Sequence, residues 1–214
     1  MNFDAFLKKP VLGIMRGVPL RSVAPVVECA AAAGLETVEI AMNSPDAQES
    51  IREAVKAAGG RMAVGAGTVI SHEILESAVE AGATFVVMPT FVDHVVRLCI
   101  DRGMPVFPGA LTPLEIHRAW ESGATMVKVF PSGVFGPAYF KEIKGPFADV
   151  RLLACGGVTP ENAADYFRNG AAAVAFGGSV FRKEWIDARA FDRVGEAVKA
   201  FVDASAAAIK KTTQ

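Results

Sequence analysis

Histidine and cysteine are scarce in this chain, three of each among 214 residues. Cys29, Cys99 and Cys155 are odd in number, far apart and never in a Cys-x-x-Cys pair. That excludes a disulfide framework and a zinc knuckle, and it suits a reducing, cytoplasmic setting. No cluster of His and carboxylates falls at a predicted strand end, so no metal is expected. His72-Glu73-Ile74-Leu75-Glu76 has Glu where a zinc-protease helix needs its second His, and His94 and His117 stand alone in predicted helices. Gly65-Ala66-Gly67 lacks the third glycine of a dinucleotide fingerprint, and no cofactor is expected. Pro131-Ser132-Gly133 has no His nearby to activate its hydroxyl. Charge of one sign is also missing: 22 Lys+Arg face 23 Asp+Glu, without a basic run for nucleic acid or an anionic membrane. No apolar run approaches the roughly 18–20 residues of a membrane helix, and the first ten residues lack the apolar core of a signal peptide.

What the chain has in excess is small residues, 36 Ala and 20 Gly, within a composition that is 51% hydrophobic. They recur in one pattern, a helix-like stretch ending in a small residue plus Gly, followed at once by a β-like run. Gly34 precedes Thr37-Val38-Glu39-Ile40, and Gly82 precedes Phe85-Val86-Val87-Met88. Gly123 precedes Met126-Val127-Lys128-Val129-Phe130, and Gly170 precedes Ala173-Val174-Ala175-Phe176. Between these joints lie runs beginning at Val11, Met62, Met104 and Arg151, each followed by a Gly- or Pro-bearing turn and a helical pattern. Each period of about 45 residues thus holds two strand–helix units, and four periods make eight. Apolar strands alternating with helices imply a parallel sheet covered by helices, and eight units in this length predict one (β/α)₈ TIM barrel over residues 1–214. Ser44-Pro45, Ser71, Thr112-Pro113 and Thr159-Pro160 read as helix starts. The last helix is expected over 191–209, with a polar tail Lys210-Lys211-Thr212-Thr213-Gln214.

Barrel active sites lie at C-terminal strand ends, so polar residues there are candidates. Four qualify: Arg16 ending strand 1, Glu39 in strand 2, Thr68 after strand 3 and Lys128 in strand 6. Lysine is almost never buried without a partner or a purpose. In an apolar strand, desolvation favours its neutral amine, which attacks ketones to form a Schiff base. Glu39 is the natural proton shuttle for that chemistry. Gly156-Gly157 after strand 7 and Gly177-Gly178-Ser179 after strand 8 suit a phosphate held by backbone N–H groups. The residues alone leave open a structural Lys128–Glu39 ion pair, a sugar-phosphate isomerase or epimerase in which Lys128 is electrostatic, and a non-catalytic sugar-phosphate sensor.

Several motifs occur in a specific order: Val38-Glu39-Ile40, Gly65-Ala66-Gly67-Thr68-Val69, Pro108-Gly109, Val127-Lys128-Val129-Phe130-Pro131, Gly156-Gly157-Val158-Thr159-Pro160-Glu161-Asn162 and Gly177-Gly178-Ser179. In these the chain resembles the 2-keto-3-deoxy-6-phosphogluconate (KDPG) aldolase family, which includes galactonate (KDPGal) and 4-hydroxy-2-oxoglutarate aldolases. The similarity runs from about residue 10 to 181. It implies a metal-free class I aldolase releasing pyruvate and D-glyceraldehyde 3-phosphate from a phosphorylated keto acid, and a homotrimer. In that reading Lys128 is the Schiff-base lysine and Glu39 the general acid/base. Thr68 contacts the carboxylate end, Pro89 stands beside the site at the end of strand 4, and Gly157, Gly178 and Ser179 hold phosphate. Two features depart from gluconate-type members. Met42-Asn43-Ser44-Pro45 stands where many of them have a Leu-Arg-Thr run, and the arginine is on strand 1 as Arg16, which looks more like the galactonate-type branch, although some gluconate-type members also carry that arginine. Cys155, before the Gly pair, occupies the position near the C4 hydroxyl.

Overall fold

The computed structural model describes residues 1–212, and its strands form one parallel sheet curled into a barrel with helices outside. Strands β1 (Val11–Met15), β2 (Thr37–Ala41), β3 (Ala63–Gly67) and β4 (Val86–Val87) follow the expected runs closely. The fifth strand differs from expectation. Pro108 cannot donate to a ladder, and the strand appears as β5 (Val106–Phe107) and β6 (Gly109–Ala110) on either side of it. β7 (Val127–Val129), β8 (Leu152–Cys155) and β9 (Ala171–Phe176) complete the set. The strand order β5-β4-β3-β2-β1-β9-β8-β7-β6 begins and ends on the two halves of that broken strand. The Pro108 carbonyl still accepts the Lys128 N–H at 2.9 Å, so the ring closes around the proline.

Glycine makes the helix-to-strand joints, as the repeat predicts. Gly34, Gly82, Gly123 and Gly170 all have φ between 90° and 99°, a conformation that L side chains rarely adopt. The helices that follow strands are α2 (Leu20–Ala32), α3 (Ala47–Ala58), α4 (His72–Glu80), α5 (Asp93–Asp101), α6 (Pro113–Glu121), α7 (Pro137–Lys144) and α8 (Pro160–Arg168). Short α9 (Lys183–Asp187) and long α10 (Phe191–Thr212) end the described chain. Helix α10 continues past 209, so the polar tail begins inside a helix, and Thr213 and Gln214 lie outside the described residues. Ser71 caps α4, and Thr112 and Thr159 form capping boxes with Glu115 and Asn162. Ser44-Pro45 does not start a helix: α3 begins at Ala47, and the Ser44 hydroxyl instead accepts the Gly17 N–H at 2.9 Å. No described helix is long and apolar enough to cross a membrane.

The barrel interior is filled by a buried cluster that includes Leu12, Phe85, Val87, Phe107, Met126 and Leu153. An additional helix, α1 (Phe3–Lys8), capped by the Asn2 side chain, plugs the N-terminal mouth. Its Phe6 ring stacks on Phe107 with 6.0 Å between centroids. With one mouth sealed by aromatic rings, access to the interior is confined to the C-terminal strand ends.

Candidate active site

Lys128 lies mid-strand in β7 and is 5% exposed. Period-two alternation puts it on the face of Met126 and Phe130, toward the barrel interior. The Phe130 ring, itself exposed, sits 5.3 Å from Nζ. Glu39 is 1% exposed in β2, and neither carboxylate oxygen has a hydrogen-bond partner. A structural ion pair would show such a partner, so the bland reading of these two residues loses its geometric basis. Burial pushes the Glu39 carboxyl above the usual carboxylate range, against the opposing pull of the Lys128 and Arg16 charges. A carboxyl raised in this way keeps its proton to higher pH than an ordinary one, which suits a group that must both give and take a proton.

Space for the Glu39 side chain comes from β3. A Cβ on Gly67 would lie 2.3 Å from Glu39 Oε1, and one on Gly65 would lie 2.5 Å from the Phe85 ring. Both glycines therefore belong inside a strand that the sequence places mostly before them. Thr68 follows with φ 61°, an outlier for a β-branched residue. Its hydroxyl faces Arg16 Nη2 at 3.4 Å. Arg16 is exposed at the end of β1, where the Ser44 hydroxyl holds the following turn.

A cavity of about 320 Å³ opens at these strand ends. Its lining includes Arg16, Lys128, Phe130, Cys155, Gly156, Gly157, Gly177, Gly178 and Ser179. Glu39 and Thr68 are outside this lining: Glu39 feels the charges of the lining residues Lys128 and Arg16, and Thr68 accepts a hydrogen bond from Arg16. Pro89, at the end of the β4 run, packs against β6, where a Cβ on Gly109 would fall 2.3 Å from its carbonyl. Cys155 is buried beside the amine, and desolvation raises its thiol pKa while the Lys128 charge opposes the rise. Gly156 and Gly157 have φ of 84° and 81°. Among the described residues, the N–H groups of Gly157, Val158, Gly178 and Ser179 donate to no protein acceptor. Four free amides on two adjoining loops make an anion seat of the kind nests and helix ends provide. No group of three or more His, Cys, Asp or Glu among the described residues is placed to hold a metal.

Phe130 and Ser132 stand in motifs the sequence displays, yet neither reads as a site residue there. Phe130 shares its face with Lys128 by alternation alone, so the pattern within Met126-Val127-Lys128-Val129-Phe130 points to it. Ser132 is buried rather than presented, and no local signal marks a hydroxyl whose partners lie on two strands.

Comparison with known proteins meets this geometry from outside. The description "KDPG and KHG aldolase" matches residues 4–197. The chain is 35% identical over 204 residues to the 2-dehydro-3-deoxy-6-phosphogalactonate aldolase of Escherichia coli (strain K12), covering 95% of this chain and 98% of that one. It is 35% identical over 158 residues to the 2-dehydro-3-deoxy-phosphogluconate aldolase of Pseudomonas aeruginosa, covering 73% of this chain and 70% of that one. The solved native KDPGal structure superposes with a TM-score of 0.88 at 35% identity, covering 94% and 96% of the two chains. A match that spans nearly the whole barrel makes this chain a member of the KDPG and KHG aldolase family.

Proposed function

We propose that this aldolase cleaves a 2-keto-3-deoxy sugar acid 6-phosphate, KDPG or its galactonate epimer, into pyruvate and D-glyceraldehyde 3-phosphate, with Lys128 as nucleophile. The whole chain, 1–214, acts as one catalytic domain. The observation that carries the reading is a buried lysine lining a cavity edged by free amides, with a buried, unpartnered carboxyl that feels its charge. The neutral Lys128 amine adds to the C2 ketone, and Glu39 in its protonated form supports loss of water from the carbinolamine. The resulting iminium draws the electrons of the C3–C4 bond as Glu39 takes the C4 hydroxyl proton, releasing the aldehyde. Protonation of the enamine at C3 and hydrolysis return pyruvate and free lysine. Arg16 and Thr68 seat the carboxylate, and Gly157, Gly178 and Ser179 seat the phosphate.

Arg16 on β1 with Asn43-Ser44-Pro45 after β2 favours the galactonate epimer, and so does the Escherichia coli relative. Activity on 4-hydroxy-2-oxoglutarate is a lesser expectation, since that acid leaves the anion seat empty. Three free thiols suit a cytoplasmic enzyme, and exposed Leu114, Val134 and Phe135 suit assembly into a trimer. Borohydride reduction in the presence of pyruvate, followed by peptide mass mapping, is expected to place the label on Lys128. Labelling elsewhere, or none, refutes the mechanism. Lys128→Arg is expected to lose essentially all cleavage, whereas an electrostatic lysine would leave part of it.

A further inference from the structure

We propose that Ser132 is a positioning residue that sets the distance between the Schiff-base amine and the loop that seats the substrate phosphate. The proposal rests on the phosphate reading of Gly156-Gly157 given above. Ser132 is 1% exposed, and its hydroxyl both donates and accepts a hydrogen bond. It donates to the Val129 carbonyl at 2.8 Å and accepts the Cys155 N–H at 2.9 Å. Val129 is one residue beyond Lys128, and Cys155 is one residue before Gly156. A single hydroxyl thus joins the end of β7 to the end of β8, one link from the amine on one side and one link from the anion loop on the other.

The next residue extends the clamp. Gly133 donates its N–H to the Gly156 carbonyl at 2.8 Å. A Cβ on Gly133 would lie 3.3 Å from both the Gly156 oxygen and the Gly157 Cα, so the two turns are moulded on each other. Gly156 and Gly157 have the widest conformational freedom of any residue type, and without these contacts little would hold them at their positive φ values. The free N–H groups of Gly157 and Val158 point wherever that loop points. Removing the hydroxyl also strands a buried N–H, a larger penalty than the net value of the bond itself. Ser132 touches no reacting atom, so its effect must run through the loop.

The test separates phosphate affinity from imine chemistry. Ser132→Ala is expected to weaken binding of inorganic phosphate, measured by calorimetry and as competitive inhibition, and to raise KM for the phosphorylated substrate about tenfold. Solvent exchange of the pyruvate methyl protons and kcat are expected to stay within about threefold, because neither needs the anion seat. Gly133→Ala keeps the hydroxyl, sits on an exposed turn, and crowds the loop by a few tenths of an ångström. It is expected to give the same split between phosphate affinity and exchange. Ser132→Thr, which keeps the hydroxyl, is expected to regain most of the phosphate affinity. Unchanged phosphate affinity in both alanine variants overturns the role of Ser132 while leaving the phosphate site intact. Parallel loss of exchange and affinity in Ser132→Ala marks general damage and overturns it too. Absence of phosphate binding in the unmodified protein defeats the phosphate site itself, and this proposal with it.

Discussion

Glu39 destabilises the native state whenever it is ionised, because burial removes its water and no hydrogen bond replaces it. Its raised native pKa fixes the sign of a pH effect. Between the ordinary carboxylate value and the native one, the folded protein keeps a proton that the unfolded chain releases, so stability falls as pH rises through that window. Glu39→Gln removes the titration, and it is expected to gain stability relative to the parent as pH climbs from 4 to 8 while losing cleavage. Denaturant midpoints across that range decide the matter. A parent that gains on the variant with rising pH would mean that Lys128 and Arg16 hold the carboxylate charged. The same isolation explains what was legible at this scale. A lysine, a glutamate and an arginine break apolar strand runs and announce themselves. Ser132 and Phe130 are chemically ordinary where they stand, and only the strands they bridge or face give them a part. Pro89 is legible only by resemblance, and its backbone packs closely against Gly109.

At the level of strands and helices, close approach decides more than hydrophobic pattern. The Gly65-Ala66-Gly67 run looks like a turn in sequence but is the second half of β3, because Phe85 and Glu39 fill the space where side chains would stand. Gly67→Ala would drive a methyl to 2.3 Å from Glu39 Oε1, and the carboxyl would have to move. The expected result is a loss of roughly 1–3 kcal/mol in stability with a fall in kcat much larger than any change in phosphate affinity. Gly65→Ala would collide with the buried Phe85 ring instead. It should cost comparable stability, yet retain more activity per folded molecule. Equal catalytic loss in the two variants would show that Gly67 serves general packing and has no special tie to Glu39. Helix starts read well where a Ser or Thr finds its own helix's N–H groups, as at Ser71, Thr112 and Thr159. Ser44 misleads because its hydroxyl is claimed by the Gly17 N–H just beyond the neighbouring strand β1, a contact with no local signature. The split of the fifth strand has a local cause, Pro108, although only the ring as a whole shows why closure survives it.

The groups proposed to react are all carried by one chain, and that chain also exposes large apolar side chains. Leu114, Val134 and Phe135 are 60%, 64% and 55% exposed. They stand on adjoining segments: the Phe135 ring lies 5.0 Å from that of Tyr139, and the Tyr139 hydroxyl binds the Leu111 carbonyl just ahead of α6. Apolar side chains gathered on neighbouring turns are the composition of an interface core, and a net charge of −1 offers little repulsion between copies. The homotrimer is what the resemblance to the KDPG aldolase family implies, and we propose this patch as its interface: sedimentation and light scattering are expected to give a trimer whose dissociation is promoted by Val134→Glu together with Phe135→Glu. Lys128, Glu39, Arg16 and both glycine loops come from the same chain, so dissociated copies are expected to retain pyruvate proton exchange per chain. An intact trimer in the double variant would place the interface on another face. Dissociation with complete loss of exchange would mean that assembly holds the β7–α7 segment in shape, because Phe135 follows the Ser132–Val134 turn that leads out of the lysine strand.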